Sequence, residues 1–376
     1  MSAVNIKKSI ESIDFFKGIA ILLVLLVHSI QRFNVPFWVN VVPSLGQLGC
    51  QMFFVLSSFS LCLGYSDKNI KYFDFIKRRI SKMIIGYWSM IVFYTLINIL
   101  FAIRDNISIL SIIFDYKIII NFLFLHGLSF DKSVINGVVR GGWFVGTITV
   151  LYLLFPTLLK LYNLDNSKWK KVRKVIFPLS AFCISCSVFV LLVIFKVDYI
   201  FENNSFSYFS FLNQLPCFAL GFSLYEIYKT DFINNIKVPL IKFLIYSLIS
   251  ISLFFSNIDN VLIFISFFVA LSFFYIFVYV NQNNSIISLI ESNNVTSNLI
   301  KKFGKMSFSV YLTHPIIVHL LVKPLIEILV QIYDKQILWY FILLPIMIVL
   351  SYFLAKIFSF YENSLNKIIK KICHKN

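Results

Sequence analysis

The chain has 376 residues, of which 59% are hydrophobic and only 14% charged, and its formal net charge is +17. A water-soluble chain of this length needs far more polar surface, so the composition excludes a soluble globular protein and points to a polytopic membrane protein. The cations fall mostly in short loops between apolar runs, a topology pattern that argues against a nucleic-acid partner.

The apolar runs suit helices crossing about 30 Å of hydrocarbon, and the alternation of membrane-barrel strands is not seen. Spans are expected near 13–31, 40–64, 83–104, 142–162, 175–195, 207–228, 238–256, 260–280, 306–330 and 337–360. The expected fold class is an all-α integral membrane protein of about ten transmembrane helices. It forms a single domain over 1–376, with no appended soluble domain and no internal repeat. No small-residue cleavage site follows Val27, so the first apolar run reads as an uncleaved helix.

That first helix carries His28 in an otherwise apolar stretch. A titratable side chain inside a membrane helix is costly and is a functional candidate by default. Lys17 lies eleven residues earlier, about three helical turns and roughly 16 Å along the axis, on the same face. Asp14 precedes Lys17 by three residues, the spacing of a local ion pair.

Further along, 107–130 is apolar but interrupted by Asp115, Tyr116, Lys117 and His126. Cation placement decides its role. With Lys7 and Lys8 cytoplasmic, the loop carrying Lys68, Lys71, Lys77, Arg78, Arg79 and Lys82 is cytoplasmic too. The Lys168–Lys174 cluster joins that side only if 107–130 does not span. Lys229, Lys237, Lys301, Lys302, Lys305 and the tail with Lys367, Lys370, Lys371 and Lys375 then follow, leaving Arg32, Arg104, Lys132, Arg140, Lys196 and Lys335 outside. Both termini are therefore expected in the cytoplasm, with 107–130 re-entrant or interfacial. Cys183 and Cys186 form a C-x-x-C in mid-span, where small-residue packing is the plain reading, and no metal site is expected.

Five segments carry a family resemblance. Asp14-x-x-Lys17-Gly18-x-Ala20 running to His28 resembles the opening helix of acyltransferase family 3 membrane proteins, with Lys17 where the family has Arg. Gly49 to Phe59, containing Phe53-Phe54 and Ser57-Ser58-Phe59, resembles its Gly-hydrophobic-Phe-Phe-x-x-Ser-Gly-Phe segment, with Ser58 for Gly. Arg78-Arg79-Ile80-Ser81-Lys82 resembles its Arg-Arg-x-x-Arg stretch, without the usual following Pro. Trp143-Phe144 through Tyr152-Leu153-Leu154-Phe155-Pro156 resembles a further helix, in which Ile148 stands where some members carry Glu. Phe303 to Pro315, with Tyr311-Leu312-Thr313-His314, resembles the Gly-Lys-x-Ser-Tyr-Ser-hydrophobic-Tyr-Leu-x-His segment.

The resemblance implies an O-acetyltransferase of the bacterial cytoplasmic membrane. Such proteins move acyl groups, usually acetyl, from coenzyme A to a hydroxyl of a cell-envelope carbohydrate. Acetyl-CoA is then a donor substrate, with no permanently bound cofactor, and the acceptor is a surface glycan or its lipid-linked precursor.

The residues suit that chemistry. A sugar hydroxyl needs a base at neutral pH, and a neutral imidazole provides one. His28 is thus the catalytic candidate, either as general base or as an acyl-imidazole carrier. Lys17, Arg78, Arg79 and Lys82 are the candidates for the donor's phosphates, although Lys17 also suits a snorkelling role and the basic loop a contact with anionic lipid. Ser57, Ser58, Trp143, Tyr152, Tyr311 and His314 are expected to line the cavity, and His126 and His319 to be structural. No carboxylate is evident to orient His28, and Asn213 and Gln214 are the candidates for that task. The rival classes are a transporter or flippase of lipid-linked oligosaccharide, which lacks the expected repeat, and a glycan polymerase, which needs a larger outer loop.

Overall fold

A computed structural model describes residues 3–163, 172–195, 197, 206–230, 232–256, 262–292 and 294–373. Lys168, Lys170, Lys171, Lys196 and Lys375 lie outside the described residues, as do the side chains of Lys7, Lys8 and Lys370. Every regular element among the described residues is helical. In hydrocarbon each backbone N–H and C=O must be satisfied within its own segment, and the long Leu-, Ile- and Phe-rich runs have that one solution.

The main helices in chain order are α1 (Ala3–Ile30), α2 (Phe37–Tyr65, with a 3-10 turn at Leu45–Leu48) and α3 (Tyr72–Arg104). α4 (Trp143–Tyr162), α5 (Arg173–Ile194), α6 (Phe211–Lys229) and α7 (Pro239–Phe254) follow. The last are α8 (Leu262–Gln282), α9 (Ser307–Ile332) and α10 (Gln336–Cys373). Eight helices among the described residues are long and apolar enough to cross a membrane. The chain is therefore an all-α, multi-pass membrane protein. The other two, α6 and α7, stand where spans were expected, but α7 has only 16 residues. α6 carries Asn213, Gln214 and Glu226 and is buried along most of its length.

Burial sorts the bundle into an interior and a rim. The apolar windows of α1, α2, α4 and α8 are 56–67% buried, whereas those of α3, α5, α9 and α10 are 17–28% buried. The rim helices present their remaining apolar surface outward, as lipid contact requires. Cys183 and Cys186 sit on α5 without a disulfide, Cys183 exposed and Cys186 packed against the bundle core.

Close helix crossings fix where the functional residues lie. A Cβ on Gly18 of α1 would strike the Ile300 carbonyl, and one on Gly304 would strike the Asp14 carbonyl. Glycine on each side thus seats α1 against the helix Val295–Lys305. There Lys301 Nζ lies 3.5 Å from Glu11 Oε2. Asp14 and Lys17 feel each other electrostatically but do not close the ion pair their spacing suggested.

The stretch 107–130 makes no continuous helix. It breaks into Ile109–Ile113, the seven-residue Tyr116–Phe122 and a 3-10 turn at Leu125–Leu128, all too short to cross about 30 Å. Phe124 turns the chain in the left-handed region at φ 58°. The segment then docks on the start of α4, where a Cβ on Gly127 would meet the Gly146 backbone. His126 donates from Nε2 to the Gly142 carbonyl at 3.0 Å, and the Tyr87 hydroxyl donates to Asn121 Oδ1 at 2.7 Å. His126 therefore pins this hairpin rather than facing substrate.

Candidate active site

α1, α2, α3, α4 and α9 converge on a cavity of about 310 Å³. Lys17, Ser57, Lys82, Tyr152 and Tyr311 all line it, with Ile148 and the aromatic rings of Phe53, Phe144 and Phe308. Residues from five separate stretches of sequence thus meet at one place. Tyr152 and Ser57 face each other across this chamber, close enough to interact. Lys17 and Lys82 supply the cationic wall.

Arg79 belongs to the same neighbourhood. Its guanidinium packs 5.3 Å from the Tyr65 ring centroid and 5.8 Å from that of Phe75, within electrostatic reach of Lys17 and Tyr152. Its Nε is buried with no hydrogen-bond partner. Arg78 points elsewhere, because adjacent residues on a helix do not share a face. It is exposed, donates from Nε to the Asp74 carbonyl at 3.2 Å, and lines a separate groove of about 450 Å³ with Lys68, Lys71 and Asp74.

The same divergence separates Ser57 from Ser58. Ser57 faces the cavity, while Ser58 is fully buried and donates to the Val55 carbonyl at 3.1 Å. A Cβ on Gly221 of α6 would run into Ser58 Oγ, so Ser58 serves the α2–α6 contact. Trp143 also stays out of the cavity lining and stacks on Phe209 at 4.6 Å and 24°.

His28 does not line the cavity either. It is half-buried, and its ring centroid lies 5.0 Å from that of His314. The His314 ring lies 5.9 Å from Tyr311, which does line the cavity. Three rings therefore connect the Lys17 chamber to His28: Tyr311, His314 and His28. The Tyr311 hydroxyl is tied to the Gly141 carbonyl at 2.6 Å.

Residues 10–356 match the family model of acyltransferase family 3, described as an acyltransferase domain. The chain belongs to this family. It is a membrane acyltransferase, and the match covers nearly every residue discussed above. No curated protein and no solved structure matches it. Family membership decides against the transporter and polymerase readings.

The hydrogen bonds of the acyltransferase assign its imidazole tautomers. His28 Nδ1 lies 3.3 Å from Gln31 Oε1, an acceptor, so Nδ1 carries the proton. That leaves the Nε2 lone pair of His28 free of any partner among the described residues. His314 repeats the pattern, with Nδ1–H donating to the Val310 carbonyl at 3.1 Å and a buried, unpartnered Nε2.

The orienting group is thus Gln31, not Asn213 or Gln214. Those two are buried on α6 in a polar knot with Gln51, Tyr208 and Ser266, facing α2 and α8. Gln31 sits three residues after His28, one turn on the same helix face. That spacing was the available signal, but a glutamine at a helix end ordinarily reads as surface. The closeness of His28 and His314 had no signal in sequence, since 286 residues separate them.

Proposed function

We propose that this membrane acyltransferase moves an acetyl group from acetyl-CoA to a hydroxyl of a surface glycan or its lipid-linked precursor, with His28 as general base. The observation that carries the reading is the His28–Gln31 bond. A carbonyl acceptor on Nδ1 holds the ring with a lone pair on Nε2, the atom a base must present. In the reaction, Nε2 takes the hydroxyl proton while the sugar oxygen attacks the thioester carbonyl. The tetrahedral intermediate collapses, the C–S bond breaks, and the imidazolium returns its proton to the departing thiolate. The family's known transfers to envelope carbohydrate support this choice of donor and acceptor.

The 310 Å³ chamber supports a donor arm entering beside Lys17. It lies at the lower end of small-molecule sites, about 300–1,000 Å³. Such a chamber suits the acylated arm, while the nucleotide stays outside at the basic end near Lys82 and Arg79. Guanidinium and ammonium groups there suit phosphate oxygens. For the thioester to meet Nε2 of His28, the Tyr311 and His314 rings that stand between chamber and base must shift. The donor side is read as cytoplasmic and the acceptor side as the opposite face of the bacterial cytoplasmic membrane.

A second reading rests on His314. If His28 Nε2 attacked the thioester and carried the acetyl group, the unpartnered Nε2 of His314, in the ring 5.0 Å away, would be the base for the acceptor.

Membranes containing the protein, given radiolabelled acetyl-CoA and envelope glycan, are expected to label the glycan at hydroxyls. His28→Ala should remove the labelling while the protein still inserts. Full labelling in that variant refutes the role of His28. An acid quench without acceptor separates the two readings, because only the acyl-imidazole route leaves label on the protein.

A further inference from the structure

At the end of α1 away from Lys17, two guanidiniums converge on one imidazole. Arg32 Nη2 lies 3.3 Å from His319 Nε2, and Arg140 Nη1 lies 3.1 Å from His319 Nδ1. A neutral imidazole has one lone pair, so it can accept from one of these arginines only. The other guanidinium faces an N–H donor. Arg32 also leaves a buried Nε without a partner. Neither arginine forms an ion pair among the described residues. Lys323, four residues after His319, adds another cation within electrostatic reach.

The backbone is shaped to make this gathering. His319 lies in a π-helical turn, Ile317–Val322, shortly after Pro315 in α9. Such turns re-aim side chains and recur at functional sites. Arg140 is held between Gly137 and Gly141, both at positive φ (81° and 76°). Three separate segments thus deliver donors to one point and, among the described residues, bring no carboxylate to pair with them. The cluster is a ready site for an oxyanion, which guanidiniums bind with paired hydrogen bonds.

Its position says what the oxyanion belongs to. Arg32 follows His28 by four residues, in the turn that closes α1 after Ile30, and the two groups feel each other electrostatically. A group bound at Arg32 and Arg140 lies beside the base, since His319 also feels His28 electrostatically, at the end of α1 away from Lys17.

We propose that Arg32, Arg140 and His319 form an acceptor subsite that binds an acidic substituent, a carboxylate or phosphate, on the glycan. The inference rests on the glycan acceptor proposed above and adds its charge. The site holds the acid group while a hydroxyl on the same or the next ring meets His28 Nε2.

The test is binding, which needs no turnover and so stands apart from the acetyl-transfer assay. Full-length protein in nanodiscs of zwitterionic lipid is titrated with a uronate-containing tetrasaccharide, its carboxyl-reduced counterpart, and the counterpart bearing a sugar phosphate. At least one charged probe is expected to bind tenfold or more tighter than the neutral one, and the better of the two names the acid group. Arg140→Gln and Arg32→Gln should each erase most of that preference. Arg140→Lys, which keeps the charge at an exposed position, should retain part of it. Equal binding of charged and neutral probes overturns the proposal, as does an intact preference in Arg140→Gln. Loss of the preference when phosphatidylglycerol is added to the nanodiscs also overturns it, by assigning the cluster to lipid headgroups.

Discussion

Replacing Gln31 by Leu tests whether the proposed base depends on a neutral amide for its orientation. The wild-type contact is a single bond of 3.3 Å between uncharged groups. Such bonds contribute about 0.5–1.5 kcal/mol net, and each ~1.4 kcal/mol is tenfold in rate. Gln31 is exposed, so water can take over part of the role and the upper limit will not be reached. The expected result is a fall of about threefold to tenfold in kcat, with KM for acetyl-CoA and acceptor unchanged. His28→Ala removes the proton transfer itself and should cost about 10²–10⁴-fold. The assay is transfer of radiolabelled acetyl to glycan by purified protein in nanodiscs, with kcat and KM measured separately. A loss in Gln31→Leu as large as in His28→Ala refutes the reasoning, because Gln31 would then act on the reacting atoms. An unchanged kcat refutes it equally, as does a change confined to KM.

Other consequences follow from the same geometry. Lys17→Met removes a charge-assisted contact worth about 1.5–3 kcal/mol and should raise the KM for acetyl-CoA roughly tenfold to hundredfold. Arg78→Ala, exposed and in a separate groove, should raise it much less; the reverse ranking would move the donor path to that groove. Gly221→Ala overpacks the α2–α6 crossing by about 1–3 kcal/mol, and Ser58→Gly in that background should recover only part of the loss, since the Val55 carbonyl also blocks the new Cβ. Full recovery in thermal melts would contradict this. Burial holds the imidazole of His126, which lies outside the spanning helices, down to about 4, against about 6.5 when unfolded. The unfolded chain therefore binds the extra proton between these values. Stability should fall as pH drops from above 6.5 towards 4, by up to about 3 kcal/mol. Melts of wild type and His126→Gln across that range should converge at low pH, and parallel curves would refute the assignment.

Composition and apolar run length alone determine that this chain is an all-α membrane protein, because hydrocarbon leaves a run of such residues no other way to satisfy its backbone. The order of motifs determines the family, and the interrupting Asp115, Lys117 and His126 mark 107–130 as a segment that does not continue as one helix. Ser57, Tyr152 and Tyr311 were legible as cavity residues and Lys17 and Lys82 as cations for the donor, and the fold puts all five in one lining. Tertiary packing decided the rest. Neighbours such as Arg78 and Arg79, or Ser57 and Ser58, look equivalent in sequence, and helical rotation sends one member of each pair to the site and the other away from it. Asn213 and Gln214 were plausible partners for His28 until α6 turned them towards α2 and α8. The meeting of His28 with His314, and of Arg32 and Arg140 with His319, depends on contacts between helices far apart in the chain. No local pattern encodes such contacts, because they exist only once glycine crossings and a π turn have set how the helices lie against one another.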